Sequence, residues 1–511
     1  MHPGPPRRSV ARRENGTVTM TAPSAAGRTA ALAERLRAAV GAERVLTDHA
    51  QLRTYECDGL TNFRVTPGVV VLAETRRHVV DTVRLCARAG VPFVARGSGT
   101  GLSGGALPVA EGVLLVLSRL RALGPVDPDN ARVVVEPGVV NLWVTRDATP
   151  HDLAYAPDPS SQLVCSIGGN VAENAGGAHC LKYGFTVNHV VGAEVVLPDG
   201  SVVNLGGTAP EHPGYDLLGV FVGSEGTLGV ATSVTLRLVR VPEAVQTMLV
   251  AFSSIEDAAG TVSDIIAAGI LPAAIEMMDA LAIEAAEAAV HCGYPAGAVA
   301  VLVIELDGPQ AEVEAQFADV EQIALARSAF ELRIARDDAE RALMWKGRKS
   351  AFAAVGRISP SYFVQDGVIP RTQLPQVLTE IERMADAVGL RVANVFHAGD
   401  GNLHPLVLYD DAVDGQARDA EALAGAILDL CISSGGSITG EHGVGAEKRT
   451  KMAVQFTAED LDTMQLVRCA FDPDGIANPG KIFPTPRLCG ERPGPRTGVH
   501  PLQVAGLGEV F

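Results

Sequence analysis

The stretch "VARGSGTGLSGGALPVAEGVLLVLSRL" (94–120) decides the fold. Within it, Gly99, Gly101 and Gly104 satisfy the G-x-G-x-x-G pattern of a dinucleotide-binding loop. That pattern carries its NAD meaning only where the loop follows a strand and opens a helix. A strand does precede it, "VPFVA" (91–95), but Gly105 is followed by Pro108, Gly112 and a Val/Leu run that spells another strand. The helix that a Rossmann loop requires is missing, which disfavours that reading, and a mobile glycine turn is a further alternative. What remains is a run of glycine N–H groups and Ser/Thr hydroxyls, to which an anionic group such as a pyrophosphate can approach closely.

Upstream, "GVVVLAE" (68–74) reads as a buried strand and "TRRHVVDTVRLCARAG" (75–90) as a helix, with Thr75 as N-cap and Gly90 past its end. Downstream come short strands at "ARVVVEPGV" (131–139), "VGAEVVLPDGSVVNL" (192–205) and "GTLGVATSVTLRLVRVPE" (226–243), with Pro198-Asp199-Gly200 as a hairpin turn. Two more small-residue stretches share this half: "PDPSSQLVCSIGGNVAENAGGAHCLKYG" (157–184) and "VGSEGTLGV" (222–230). Three such loops suggest an extended ligand wrapped by backbone. From about Ala244 the texture changes to Ala-rich helices alternating with strands, an α+β pattern. The expected organisation is an N-terminal tail (1–27), a first domain (28–243), a second domain (244–484) and a Pro/Gly-rich tail (485–511), with both tails disordered.

The 511 residues suffice for two or three domains and a buried cofactor. With 42 basic against 59 acidic residues the net charge is −17, which excludes a broad nucleic-acid surface. The eight cysteines are scattered with no CxxC pair, so they read as reduced thiols and offer no iron–sulfur site. Arg pairs near the start lack an apolar segment behind them, which argues against export, and no run is long enough to span a bilayer. A cytoplasmic protein is expected, one able to meet the inner face of a membrane peripherally.

The second half holds "NVFHAGDGNLHPLVLYD" (394–410). A two-residue turn at Asp400-Gly401 would set His397 directly opposite His404, with Cβ atoms roughly 5 Å apart, and let both imidazoles reach one metal. Glu441 in "ITGEHGVGAEKR" (438–449) is the candidate third ligand, with His442 beside it. Two His and one carboxylate suit Zn²⁺, Mn²⁺ or Fe²⁺ and leave positions open to substrate. The alternative is an ordinary cross-strand histidine pair with hydrogen-bonded rings. In "MWKGRKSAFAAVGRISPSYFVQDGVIPR" (344–371), Arg348 is the candidate carboxylate clamp, because a guanidinium fork binds carboxylate bidentately.

The succession R-G-S-G-T-G-L-S-G-G, P-D-P-S-S…S-I-G-G-N…N-A-G-G, G-S-E-G-T-L-G and N-P-G-K-I-F (478–483) resembles the vanillyl-alcohol-oxidase or PCMH-type FAD-linked oxidoreductases. The likeness is greatest to their D-2-hydroxyacid dehydrogenase branch, of the glycolate oxidase and D-lactate dehydrogenase kind. It covers about 50 to 484 and implies a two-part PCMH-type FAD-binding domain followed by an α+β FAD-linked oxidase C-terminal substrate domain. It also implies cofactor contacts at Arg96, Gly97, Ser98, Gly99, Thr100, Gly101, Ser166, Gly168, Gly169, Asn170, Glu225, Gly226 and Asn478. The first loop has no His, so FAD is expected to be non-covalent. By the same resemblance His397, His404 and Glu441 hold a divalent metal, with Zn or Mn favoured. His442 becomes the catalytic base, and Arg348 the substrate-carboxylate residue. Val364 stands near where hydroxyglutarate dehydrogenases have a Lys, so a small 2-hydroxy acid such as glycolate or D-lactate is favoured. Reduced flavin would pass electrons to a quinone, a cytochrome or a separate iron–sulfur subunit. A non-catalytic or electron-relay flavoprotein subunit is the competing reading.

Overall fold

The computed structural model describes residues 25–209 and 213–484. The tail expectations for 1–24 and 485–511 lie outside them, and 25–27 begin the helix Ala25–Val40.

The first sheet runs in the order Val45–Leu46, Val69–Leu72, Val113–Val116, Phe93–Arg96, the last three parallel. The strand after the glycine loop therefore inserts between the two expected flanking strands, in place of the helix a Rossmann unit would have. Helix Arg76–Ala89 forms as read. Thr75 Oγ1 accepts the His78 N–H, and Gly90 closes the helix in the left-handed region at φ 58°. Its apolar face, Val79, Val83 and Cys86, is fully buried and belongs to one core with Val69, Val71, Phe93 and Leu115.

A second, antiparallel sheet has the order Arg132–Val135, Val230–Arg237, Val190–Val196, Val202–Gly206. Val196 and Val230 also join the first core, so the two sheets share one apolar interior and form the two-part first domain.

The remaining chain is built on a nine-stranded sheet whose central strands are Ala244–Phe252, Ala300–Gly308, Ala274–Asp279 and Arg391–His397. Period-two alternation splits its faces between two cores. Met248, Val250 and Phe252 pack with the helices Ile255–Ala267, Gln310–Ala326, Leu374–Val388 and Gln416–Ser433. Leu249 and Ala251 point the other way, toward Ala280–Val290 and Asp338–Val355.

Near its end the chain returns to the first domain. Phe93 N–H donates to Ile476 O at 2.9 Å, and Asn478 N–H donates back to Phe93 O at 2.8 Å. The 157–184 stretch in turn docks on the large sheet. His179 lies 2.9 Å from Asp158 and 3.1 Å from Glu305, whose carboxylate also accepts from Thr247, Trp345 and both arms of Arg341. Burial alone would lower the His179 pKa, but the two carboxylates outweigh it and raise it to about 10. The imidazolium is thus a charged link between the halves.

Six cysteines (Cys57, Cys86, Cys165, Cys180, Cys292, Cys431) are free thiols.

Candidate active site

One cavity of about 1220 Å³ joins the two halves of the molecule. Its first-domain wall holds Gly97, Ser98, Gly99, Thr100, Gly101, Ser166, Gly168, Gly169, Asn170, Glu225 and Gly226, and its second-domain wall holds His404, Glu441 and His442. All three small-residue loops therefore open on the same space.

The loop walls fit a long anionic cofactor. The buried hydroxyls of Ser166 and Ser224, both on the wall, have no hydrogen-bond partner among the described residues, which leaves their donors available to a ligand. Gly168 faces the cavity with its back against a rigid neighbour. A Cβ there would meet Pro137 Cβ at 2.6 Å and Pro137 O at 3.0 Å. Gly168→Ala is accordingly expected to displace the Ile167–Glu173 helix start, cost about 1–3 kcal/mol and lower the FAD recovered per chain, read from absorbance and thermal unfolding.

Two residues expected to touch the cofactor, Arg96 and Asn478, are not among those that line the cavity. Arg96 lies behind the loop: Nε and Nη2 donate to Ala106 O at 3.2 and 2.6 Å and Nη1 to Tyr55 O at 3.2 Å, so its guanidinium braces the loop's two ends. Asn478 Nδ2 donates to Gly105 O at 2.8 Å and Glu225 O at 2.6 Å, tying two loops together from outside the cavity. The Glu225 carboxylate is itself taken by Val444 N–H and Gly445 N–H, both at 2.7 Å.

The histidine hairpin forms with a different register. His397 pairs with Asn402 and Asn394 with Pro405, so the loop is the four residues 398–401. The reason is local: Gly401, in the left-handed region at φ 80°, donates its N–H to His397 O at 3.1 Å, and Asp400 caps Asn402 N–H at 3.1 Å. His404 is therefore diagonal to His397 rather than directly opposite. On a pleated sheet the diagonal neighbour shares the same face, and the rings still meet edge to face with centroids 5.1 Å apart.

Glu441 closes the group. Its Oε1 lies 3.4 Å from His397 Nε2, 3.2 Å from His404 Nε2 and 3.9 Å from His442 Nε2. Donor atoms of His397, His404 and Glu441 all fall within 4.8 Å of one another, and the buried Glu441 Oε2 has no hydrogen-bond partner among the described residues. Burial would raise the Glu441 carboxyl, but the two imidazoles hold it well below the usual range, so it is an anion ready to ligate. Two imidazole nitrogens and a carboxylate fit a borderline divalent cation. Asp366, His404 and His442 make a second such group. The His442 ring stacks on His404, with centroids 5.0 Å apart and planes 13° apart, on the cavity side. Burial lowers its pKa to about 4.

The supporting carboxylates are invisible in the local sequence. Glu276, on the neighbouring strand, holds His397 Nδ1 at 2.8 Å, which turns Nε2 toward Glu441. Its other oxygen pairs with Arg348 Nη2 at 2.6 Å, and both residues are almost completely buried. The expected carboxylate clamp, Arg348, is thus one half of a buried ion pair. Arg348 is off the cavity wall with its charge committed to Glu276, and the next residue, Lys349, is the one that lines the cavity.

Asp366 is the second support. Its carboxylate accepts Thr439 Oγ1–H at 2.5 Å and the N–H groups of Gly440, Glu441 and His442 at 3.0, 3.2 and 2.9 Å, with Lys448 Nζ at 3.3 Å. One buried side chain thus fixes the turn that carries both Glu441 and His442. Asp366→Asn is expected to keep the fold but weaken Zn or Mn binding about 10- to 100-fold, measured by competition with a chromogenic chelator.

Residues 67–206 match the FAD binding domain model, and residues 241–482 match that of the FAD linked oxidases, C-terminal domain. The chain is 50% identical over 456 residues to glycolate oxidase subunit GlcD of Escherichia coli (strain K12), covering 89% of this chain and 91% of that one. It is 31% identical to the mitochondrial D-lactate dehydrogenase [cytochrome] of Arabidopsis thaliana, covering 83% of this chain and 74% of that one. The solved 4-ethylphenol oxidase from Gulosibacter chungangensis superposes with a TM-score of 0.76 at 19% identity, over 90% of this chain and 98% of that one, a likeness of fold. With the cavity already framed by flavin-type loops, these matches are sufficient: the chain belongs to the FAD-linked oxidase family and is an FAD-dependent oxidoreductase.

Proposed function

We propose that this protein oxidises a small 2-hydroxy acid, glycolate or D-lactate, to the 2-oxo acid, with non-covalent FAD in the loop-lined cavity and a divalent cation, Zn or Mn, on His397, His404 and Glu441. The observation that carries the reading is the shared cavity, with glycine loops on one wall and the His/Glu cluster on the other. The kinship to glycolate oxidase subunit GlcD supports the substrate class.

Bound FAD supplies the two-electron acceptor, and the cation supplies Lewis acidity toward the substrate's hydroxyl and carboxylate oxygens. The remaining work falls to the chain. His442, on the cavity wall, takes the hydroxyl proton as the hydrogen at C2 departs with its electron pair. Asp366 holds His442 by its N–H, and Glu276 holds the His397 ring. Lys349 is one of three basic side chains on the wall, with Arg64 and Arg418, and it stands beside apolar Phe352, Phe363 and Val364, so it is the one assigned here to the substrate carboxylate. Reoxidation falls to a quinone, a cytochrome or a separate iron–sulfur subunit. No helix among the described residues is long and apolar enough to cross a membrane, so contact with a membrane-bound acceptor would be peripheral.

The test is an anaerobic screen of the FAD-loaded protein against glycolate, both lactates and D-2-hydroxyglutarate. Bleaching by glycolate or D-lactate and not by hydroxyglutarate is expected. Preferential bleaching by hydroxyglutarate would overturn the substrate reading.

A further inference from the structure

Glu173 ends the helix Ile167–Glu173 on the cavity wall, and the reaction as proposed does not use it. Its carboxyl fills room left by two glycines from opposite halves of the molecule. A Cβ on Gly105, in the first loop, would fall on Glu173 Oε1, and one on Gly443, beside His442, would fall on Oε2. The Gly443 position also lies 2.9 Å from Glu225 Oε1, so two carboxyl groups converge there.

The neighbouring charged groups make their hydrogen bonds elsewhere. Glu225 is held by two backbone N–H groups, as above, and Asp58 accepts Leu60 N–H at 3.1 Å and Ala106 N–H at 3.2 Å. Lys448 Nζ donates to Gly443 O at 3.1 Å and Asp366 Oδ2 at 3.3 Å. Lys481 Nζ donates to Leu107 O at 2.9 Å and Asn478 Oδ1 at 3.2 Å. Glu173 Oε2 is buried and has no hydrogen-bond partner among the described residues. Glu173 as a whole is half-buried, but an anionic oxygen buried without a donor beside two other carboxylates is costly, and a proton relieves it. Burial first, then Glu225 and Asp58, raise the Glu173 carboxyl well above its ordinary value. A protonated carboxyl has an O–H to give.

We propose that Glu173 is a hydrogen-bond donor to the flavin ring system, a residue that sets the cofactor's redox balance. The ring end is indicated because Glu173 lies against Gly443, next to the residue that must face the reacting atoms; this rests on the proposed role of His442. An O–H aimed at a ring acceptor stabilises the electron-rich reduced ring more than the oxidised one.

The experiment compares FAD-loaded wild type, Glu173→Gln and Glu173→Leu by anaerobic reductive titration and by infrared spectroscopy, without substrate. Glu173→Gln keeps a donor of similar shape and is expected to retain a near-native reduction midpoint. Glu173→Leu should weaken the preference for reduced over oxidised flavin about tenfold. The wild type should show a carboxylic-acid C=O band that Glu173→Gln lacks, a readout that stands even if the leucine variant does not fold. An unchanged midpoint in Glu173→Leu, or no band difference between wild type and Glu173→Gln, would overturn the proposal. Because no 2-hydroxy acid enters the titration, failure of the substrate reading would appear separately, as absence of bleaching by substrate.

Discussion

His442→Ala is expected to slow reduction of the bound flavin by 2-hydroxy acid about 10²- to 10⁴-fold while leaving FAD bound. The separation follows from where the residues come from. In the proposed reading FAD lies against the loops at 97–101, 166–170 and 224–226, which line one wall of the cavity, whereas His442 sits on a turn held by Asp366 and contributes one imidazole to the opposite wall. Its removal leaves the His397–Glu441–His404 contacts in place, since none passes through the His442 ring. Reduction by dithionite should be unchanged, and reduction by substrate nearly lost. Anaerobic stopped-flow absorbance with both reductants reads the difference. Wild-type rates in the variant would remove His442 from the reaction.

The second large effect is at the proposed metal site. His404→Ala deletes the central ring of the cluster, almost wholly buried and packed against His397, His442 and Phe352. The variant should retain FAD and lose stoichiometric Zn or Mn, with turnover down about 10³-fold or more, since Lewis-acid assistance supplies several kcal/mol. The wild type treated with a strong chelator should lose turnover in parallel and regain it on addition of Zn²⁺ or Mn²⁺. The variant should not regain it. Metal analysis by mass spectrometry alongside turnover checks both. Full turnover of metal-free wild type would leave the cluster as a hydrogen-bonded histidine pair, the competing reading of the sequence.

Much of this site is local in sequence and was therefore legible there. Gly-rich loops announce themselves by composition, and Pro108 and Gly112 before a Val/Leu run exclude the helix that an NAD loop needs. Glu441 and His442 are adjacent residues between glycines. What is not legible there depends on backbone detail or on distant chain. Asp400-Gly401 signals a turn, but whether two residues or four close it depends on which carbonyl Gly401 N–H reaches, and here that is His397 O. Arg348 matches a sequence pattern, yet its partner Glu276 comes from another strand, and that partner decides whether the guanidinium meets the substrate or the protein. Asp366 and Glu276 carry no motif at all. They become supports only because the sheet order sets Ala274–Asp279 beside Arg391–His397, and because the Gly440–His442 turn folds over residue 366.

The central claim is that one cavity holds both the flavin and the substrate-activating cluster, so the chain by itself carries the oxidation. It is tested most directly by mixing the purified, FAD- and metal-loaded protein anaerobically with glycolate or D-lactate, with no partner protein or external acceptor present. Loss of the oxidised-flavin absorbance to completion within a single turnover is expected. Flavin that stays oxidised with every small 2-hydroxy acid, yet bleaches with dithionite, would contradict it.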